Sequence, residues 1–223
     1  MQAEYWLSKW SEDKIGFHQD TANKRLQKYW ASLELSEGAP VFVPLCGKSL
    51  DILWLHQSGH PVLGVELSEK AVKSFFEENA LPYERREEQA FIVYSGTGQA
   101  QGIDLLVGDF FALTPNHLAQ CHAFYDRAAM IALEEDMRAR YTGHLAQSVA
   151  TGTKGLLLTI AYDQSRMAGP PFSVSDQNVQ ALHGNDFDLV ELAHYSGPER
   201  LGNLAERGLE TLDERVYLLT RNR

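Results

Sequence analysis

Two pairings in this chain have the residue types and spacing for binding chemistry. The first is Gly47 and Glu66, a glycine turn followed 19 residues later by a carboxylate, inside residues 41–68, VFVPLCGKSLDILWLHQSGHPVLGVELS. In an open α/β sheet, ligands sit beyond the carboxyl ends of the strands. There a glycine lets the backbone approach, and an acid about twenty residues further on can hold ribose hydroxyls. The second is Asp109-Phe110, an acid that can accept from an exocyclic amine beside a ring that can pack on a base. The same two residues also read as a turn aspartate and a core phenylalanine.

Phosphate-binding loops fail on this stretch. Gly47-Lys48-Ser49 supplies the end of GxxxxGK[ST], but Phe42 stands where its first glycine belongs, and Gly47 alone does not make GxGxxG. A nucleoside cofactor without phosphates fits better, and S-adenosylmethionine is one. Its amino-acid end can meet the backbone from Leu45 to Gly47, its ribose Glu66, and its adenine Asp109 and Phe110. Glu66 otherwise reads as a solvated carboxylate at a strand end.

The elements that must position these residues follow from periodicity. Residues 41–45 form a buried strand, 49–57 a helix apolar on nearly all sides, and 62–67 a second strand. Ser68 then caps a helix with the stripe Ala71, Val72, Phe75, Phe76. Two βα units in succession imply a parallel sheet. Residues 91–111 carry two β-rich runs that read as a hairpin-like excursion. Strands follow at 122–126, 155–161, 188–193 and 215–220, with a helix led by Glu134, Glu135 and Asp136 and another capped by Ser175 and stopped near Gly184. Ahead of the sheet, Ala22, Leu26, Tyr29, Trp30 and Leu33 mark an amphipathic helix over 21–33. The lead-in with Trp6 and Trp10 reads as core anchors or as a lid over a planar ligand. The expected architecture is one α/β domain over 1–223, a Rossmann-like, seven-stranded, mostly parallel sheet with helices on both faces and an N-terminal helical lid over 1–34.

Composition narrows the partners. A formal charge of −10 argues against a nonspecific nucleic-acid binder. With no stretch of eighteen or so apolar residues and no secretory-type N-terminus, the expectation is a cytoplasmic protein without a membrane partner. Cys46 and Cys121 make neither a CxxC pair nor a Cys/His cluster, so no metal is expected and Cys46 reads as a small buried hydrophobe. No exposed heptad asks for a partner, and a monomer is expected.

From WxxxW…GFHQ (Trp6, Trp10, Gly16 to Gln19) through FVPLCGKSLD, GHPVLGVELS, YDRAAMIAL and GPPF to the final VYLLT, the chain resembles the bacterial branch of the thiopurine S-methyltransferase family. The resemblance implies a class I S-adenosylmethionine-dependent methyltransferase fold and methyl transfer to sulfur, leaving S-adenosylhomocysteine. It places cofactor contacts at Trp10, Leu45, Glu66 and Arg127, with Asp109 and Phe110 at the adenine. Substrate contacts fall at Phe17, Pro170 and Pro171, with Arg200 as the second substrate-side arginine, although the segment before the last strand is hard to register. Small aromatic or heterocyclic thiols are the expected acceptors, selenium and tellurium compounds the alternative, and a cofactor-binding module without turnover a further one.

In this reading Arg127 acts electrostatically, favouring an anionic acceptor, and Arg127→Ala is expected to lower kcat/KM with little loss of fold. His18, Asp126 and Asp163 are the candidate bases. The plainer account of Asp126 is that it pairs with Arg127 or caps a turn, and nothing in the spacing pairs His18 with a carboxylate. An oxygen acceptor would need a base or a metal, and no such cluster is legible.

Overall fold

A computed structural model describes residues 3–16 and 18–222; Phe17 therefore lies outside the described residues. Helix α1 (Ala3–Ser11) and helix α2 (Lys24–Tyr29), the latter extended by a 3-10 turn at Trp30–Leu33, precede strand β1 (Val41–Val43). Then come α3 (Leu50–Gln57), β2 (Val62–Glu66), α4 (Glu69–Glu78), β3 (Tyr83–Glu88), β4 (Phe91–Gly96), β5 (Ile103–Val107), the short α5 (Pro115–Leu118) and β6 (Ala123–Arg127). The chain finishes with α6 (Glu135–Ser148), β7 (Lys154–Ala161), α7 (Asp176–His183), β8 (Phe187–Gly197) and β9 (Leu212–Arg221).

The expected helix over 21–33 begins later, because Asn23 takes the cap position and its side chain accepts from the amides of Arg25 and Leu26. Ser68 and Ser175 cap α4 and α7 as expected, while Ser49, expected as the first helical residue, is instead the cap of α3.

The strands make one nine-stranded sheet in the order β3-β4-β5-β2-β1-β6-β7-β9-β8. β5, β2, β1, β6 and β7 run parallel, and antiparallel pairs flank them on both sides. The sheet is thus wider than the seven strands expected, and eight of its nine strands fall on runs of strand type marked in the sequence. The strand that periodicity missed is β3, YERREE, which is exposed along nearly its whole length and shows no apolar alternation. It joins the sheet through its backbone pairing with β4, while its charges protect an edge that would otherwise recruit another strand.

Alternation along the central strands builds a core on each face. Val41, Val43, Tyr125 and Leu156 pack towards Leu26 of α2, Ile52 and Leu55 of α3, and Val72, Phe75 and Phe76 of α4. Phe42, Phe124 and Leu157 pack on the other face towards Tyr141 and Leu145 of α6 and Val179 of α7. A satellite core of Met167, Leu201, Leu209 and Leu212 supports the loops at the carboxyl edge of the sheet. The carboxyl ends of β2, β1 and β6 open where the chain departs from β1 in opposite directions, the switch point at which such sheets bind ligands.

On α7, His183 is buried, and neither ring nitrogen has a hydrogen-bond partner. Burial pushes its pKa down to about 4. An imidazole depressed in the folded state costs stability as pH falls from the unfolded value towards the folded one. The cost is about 2 kcal/mol between pH 7 and pH 5. Buried Asp126, raised to about 6 by burial, works the other way, since its proton favours the fold as pH falls through that value. Denaturation of His183→Met at both pH values should show the variant losing about 2 kcal/mol less than the wild type on acidification.

Candidate functional site

The turn after β1 is held on all sides. Cys46 N donates to Val65 O at 3.0 Å, Ser49 N to Cys46 O at 3.2 Å, and Gly47 N to Glu66 Oε2 at 2.9 Å. Glu66 Oε1 accepts from Ser68 N at 2.9 Å, so this one carboxylate ties the glycine turn to the start of α4. Leu45 and Gly47 both have left-handed backbones, φ 45° and 53°, and Leu45 carries the strain that a side chain meets there. Burial raises the pKa of Glu66, while the backbone N–H groups of Ser68, Gly47 and Leu67 pull it back. Burial also pushes the Cys46 thiol well up, with the Glu66 charge adding to it, which keeps the thiol neutral.

Trp10 is the buried residue of α1, and it lies on this turn. A Cβ added at Gly47 would stand 3.0 Å from Trp10 Cζ2, so a glycine here lets turn and tryptophan come this close without either giving way. The end of α1 is fastened to α4, where Lys70 Nζ reaches Asp13 Oδ1 at 2.7 Å.

Gly108 N donates to Glu66 O at 2.9 Å, which brings Asp109 beside the end of β2. Asp109 is exposed, and its Oδ1 accepts from Phe111 N at 2.9 Å. The Phe110 ring does not face the same way. It is buried between Phe42, 6.5 Å away and nearly parallel, and Tyr141 at 4.8 Å. The faces of this ring lie against the core, and Asp109 is the member of the pair left at the surface.

Beyond the end of β6, Arg127 Nη1 meets Asp51 Oδ2 at 3.2 Å. Asp51, on the first turn of α3, is 1% exposed. It also accepts from Tyr125 OH at 3.1 Å and, through Oδ1, from Asn23 N at 2.6 Å. Arg127 thus pairs with Asp51 and not with its neighbour Asp126. Asp126 accepts from Tyr141 OH at 2.7 Å and from Met130 N at 3.2 Å, capping the following turn. The sequence reading missed Asp51 because an acid in a first helical turn is already explained by the helix dipole.

The Gly169 to Phe172 loop docks on the segment after β6, with Phe172 N donating to Ile131 O at 2.7 Å. Tyr162 OH donates to Pro171 O at 2.5 Å and Arg207 Nη1 to Pro170 O at 2.7 Å. The Arg200 guanidinium lies 5.4 Å from the centre of the Tyr195 ring, which also carries Arg25 at 3.7 Å, and the Tyr195 hydroxyl accepts from Lys28 Nζ at 3.0 Å. Asn203 Nδ2 donates to Gly16 O at 3.2 Å, joining the residue before Phe17 to this same edge. His18 is half-buried, and burial, then Lys48, lowers its pKa.

Each oxygen of Glu66 accepts one of the two N–H hydrogen bonds, and a carboxylate offers about four acceptor positions, so capacity remains for vicinal hydroxyls. With the backbone of the glycine turn and the Trp10 roof, the donor set suits an adenosyl group. Among the described residues, no three His, Cys, Asp or Glu side chains converge as a metal cage. No helix among them is long and apolar enough to cross a membrane.

Comparison with known proteins places the chain in a family. The family model for thiopurine S-methyltransferase matches residues 1–222. A thiopurine S-methyltransferase of Pseudomonas aeruginosa is 48% identical over 99% of this chain and 100% of its own length. One from Azotobacter vinelandii is 44% identical over the same shares. Among solved structures, the 1,6-didemethyltoxoflavin-N1-methyltransferase of Burkholderia thailandensis, with bound S-adenosylhomocysteine, superposes with a TM-score of 0.64 at 13% identity, covering 99% of this chain and 87% of that one. That likeness shows the fold, which is the Rossmann-like α/β architecture of methyltransferases. The match along the whole chain decides the family: this chain is a methyltransferase belonging to the thiopurine S-methyltransferase family.

Proposed function

We propose that this protein transfers the methyl group of S-adenosylmethionine to the sulfur of small aromatic or heterocyclic thiols. The observation that carries the reading is the Glu66 carboxylate, buried at the switch point and bonded to the amide of the glycine turn. Leu45, Gly47, Glu66 and Asp109 hold the adenosyl end, with Trp10 as its roof and residues 1–34 acting as the lid of a single domain. Pro170, Pro171 and Arg200 face the acceptor. The enzyme works as a cytoplasmic monomer.

When bound, S-adenosylmethionine supplies a methyl group on a sulfonium that carries its own neutral leaving group. The protein then has to hold the acceptor in line, exclude water and favour the thiolate. Arg127 does the last by its charge, which lowers the pKa of a nearby thiol without accepting a proton. No strong general base is needed for a thiol that is already acidic.

The test is turnover with S-adenosylmethionine and matched acceptors: thiophenol, a thiopurine, phenol, and inorganic selenium and tellurium oxyanions. S-methyl products from the thiols, with phenol unreacted, are expected. Methylation of the selenium and tellurium compounds alone would move the assignment to those soft nucleophiles, and methylation of phenol would overturn the reading.

A further inference from the structure

Asp51 joins three parts of the molecule through one buried carboxylate. Its backbone belongs to the first turn of α3, whose cap, Ser49 Oγ, accepts from Asp51 N at 3.2 Å. One carboxylate oxygen takes the Asn23 amide at 2.6 Å, and Asn23 in turn caps α2 of the N-terminal segment. The other oxygen takes Tyr125 OH at 3.1 Å and Arg127 Nη1 at 3.2 Å, both from β6. The Asp51 side chain is 2% exposed, so the cation and donors it meets replace the water that an ion at this depth has lost. Arg127 is the partner with freedom to move, since a long guanidinium side chain beyond a strand end has many rotamers and only a fixed anion selects among them.

We propose that Asp51 is the positioning residue of this site: it aims Arg127 at the acceptor and latches the N-terminal segment over it. The inference rests on the reading above, that Arg127 acts on an anionic acceptor. Its two functions separate by chemistry. Asp51→Asn keeps an acceptor oxygen for the Asn23 amide and removes the charge that holds Arg127. Asp51→Ala removes both.

The experiment is a double-mutant cycle between Asp51→Asn and Arg127→Lys, read in kcat and KM for thiophenol, together with hydrogen exchange of residues 18–30 in the unliganded enzyme. If Asp51 acts through Arg127, Asp51→Asn lowers kcat about tenfold or more in the wild-type background and less than about threefold in Arg127→Lys. Exchange at 18–30 stays near wild type in Asp51→Asn and rises at least about tenfold in Asp51→Ala. Losses in kcat that multiply would overturn the aiming role, and unchanged exchange in Asp51→Ala would overturn the latch. A wild-type enzyme without thiol turnover would sink the functional reading instead, and the exchange experiment would still decide the latch.

Discussion

Replacing Glu66 by glutamine is expected to weaken S-adenosylhomocysteine binding about a hundredfold, close to 3 kcal/mol, while leaving stability near that of the wild type. The two effects separate because the carboxylate does two things. It bonds the amides of Gly47 and Ser68, and its charge strengthens every hydrogen bond it accepts, which in the proposed complex would include those from ribose hydroxyls. Its folded pKa is raised by burial, so the ionised form costs stability as pH rises through that value. Glutamine removes this cost and keeps one acceptor oxygen, but it turns an NH2 towards a donor. Glu66→Ala leaves both amides without their acceptor and should cost about 2–4 kcal/mol of stability as well as binding. Calorimetric titration and urea denaturation of the two variants, run side by side, check the split. Binding retained in either variant would move the ribose contact away from Glu66.

Arg127→Ala is expected to unfold more easily, by about 3 kcal/mol, and to melt roughly 6–12 °C lower. Sequence alone led to the opposite expectation, a fold left intact. The difference is Asp51, whose buried carboxylate would lose its only cation among the partners shown here and keep just two neutral donors. Activity on thiols should fall at least about a hundredfold, since a charge in a site closed to water is worth several kcal/mol to a developing or bound anion. The pairing makes a further demand. Adding Asp51→Asn to Arg127→Ala removes the stranded charge and should restore part of the stability without restoring activity. Thermal melts of the single and double variants decide this: an Arg127→Ala protein as stable as wild type would mean that the pair carries no weight in the fold.

The parts of the molecule that were legible in the sequence are those whose causes are local. The glycine turn and Glu66 were legible because their spacing follows from one βαβ unit. The caps at Ser68 and Ser175 were legible because a serine ahead of an apolar stripe can accept from free helix amides, and the central strands because burial writes its period into the chain. β3 was not, because an edge strand paired through its backbone needs no apolar face. The packing of Phe110 was not legible, because a residue just after a strand can turn its ring either way and its neighbours Phe42 and Tyr141 are distant in sequence. Asp51 was invisible for a third reason. Its partners Asn23, Tyr125 and Arg127 are 28, 74 and 76 residues away in sequence, and the sheet's connection order alone brings them together.

The most direct test of the whole account is the melting temperature of the wild-type protein with and without S-adenosylhomocysteine. At a hundred times its Kd the ligand should add about 2.7 kcal/mol, a rise of roughly 5–10 °C for a chain of this length. An unchanged melting temperature at saturating S-adenosylhomocysteine would contradict the adenosyl site at Gly47 and Glu66, and with it the methyl transfer built on it.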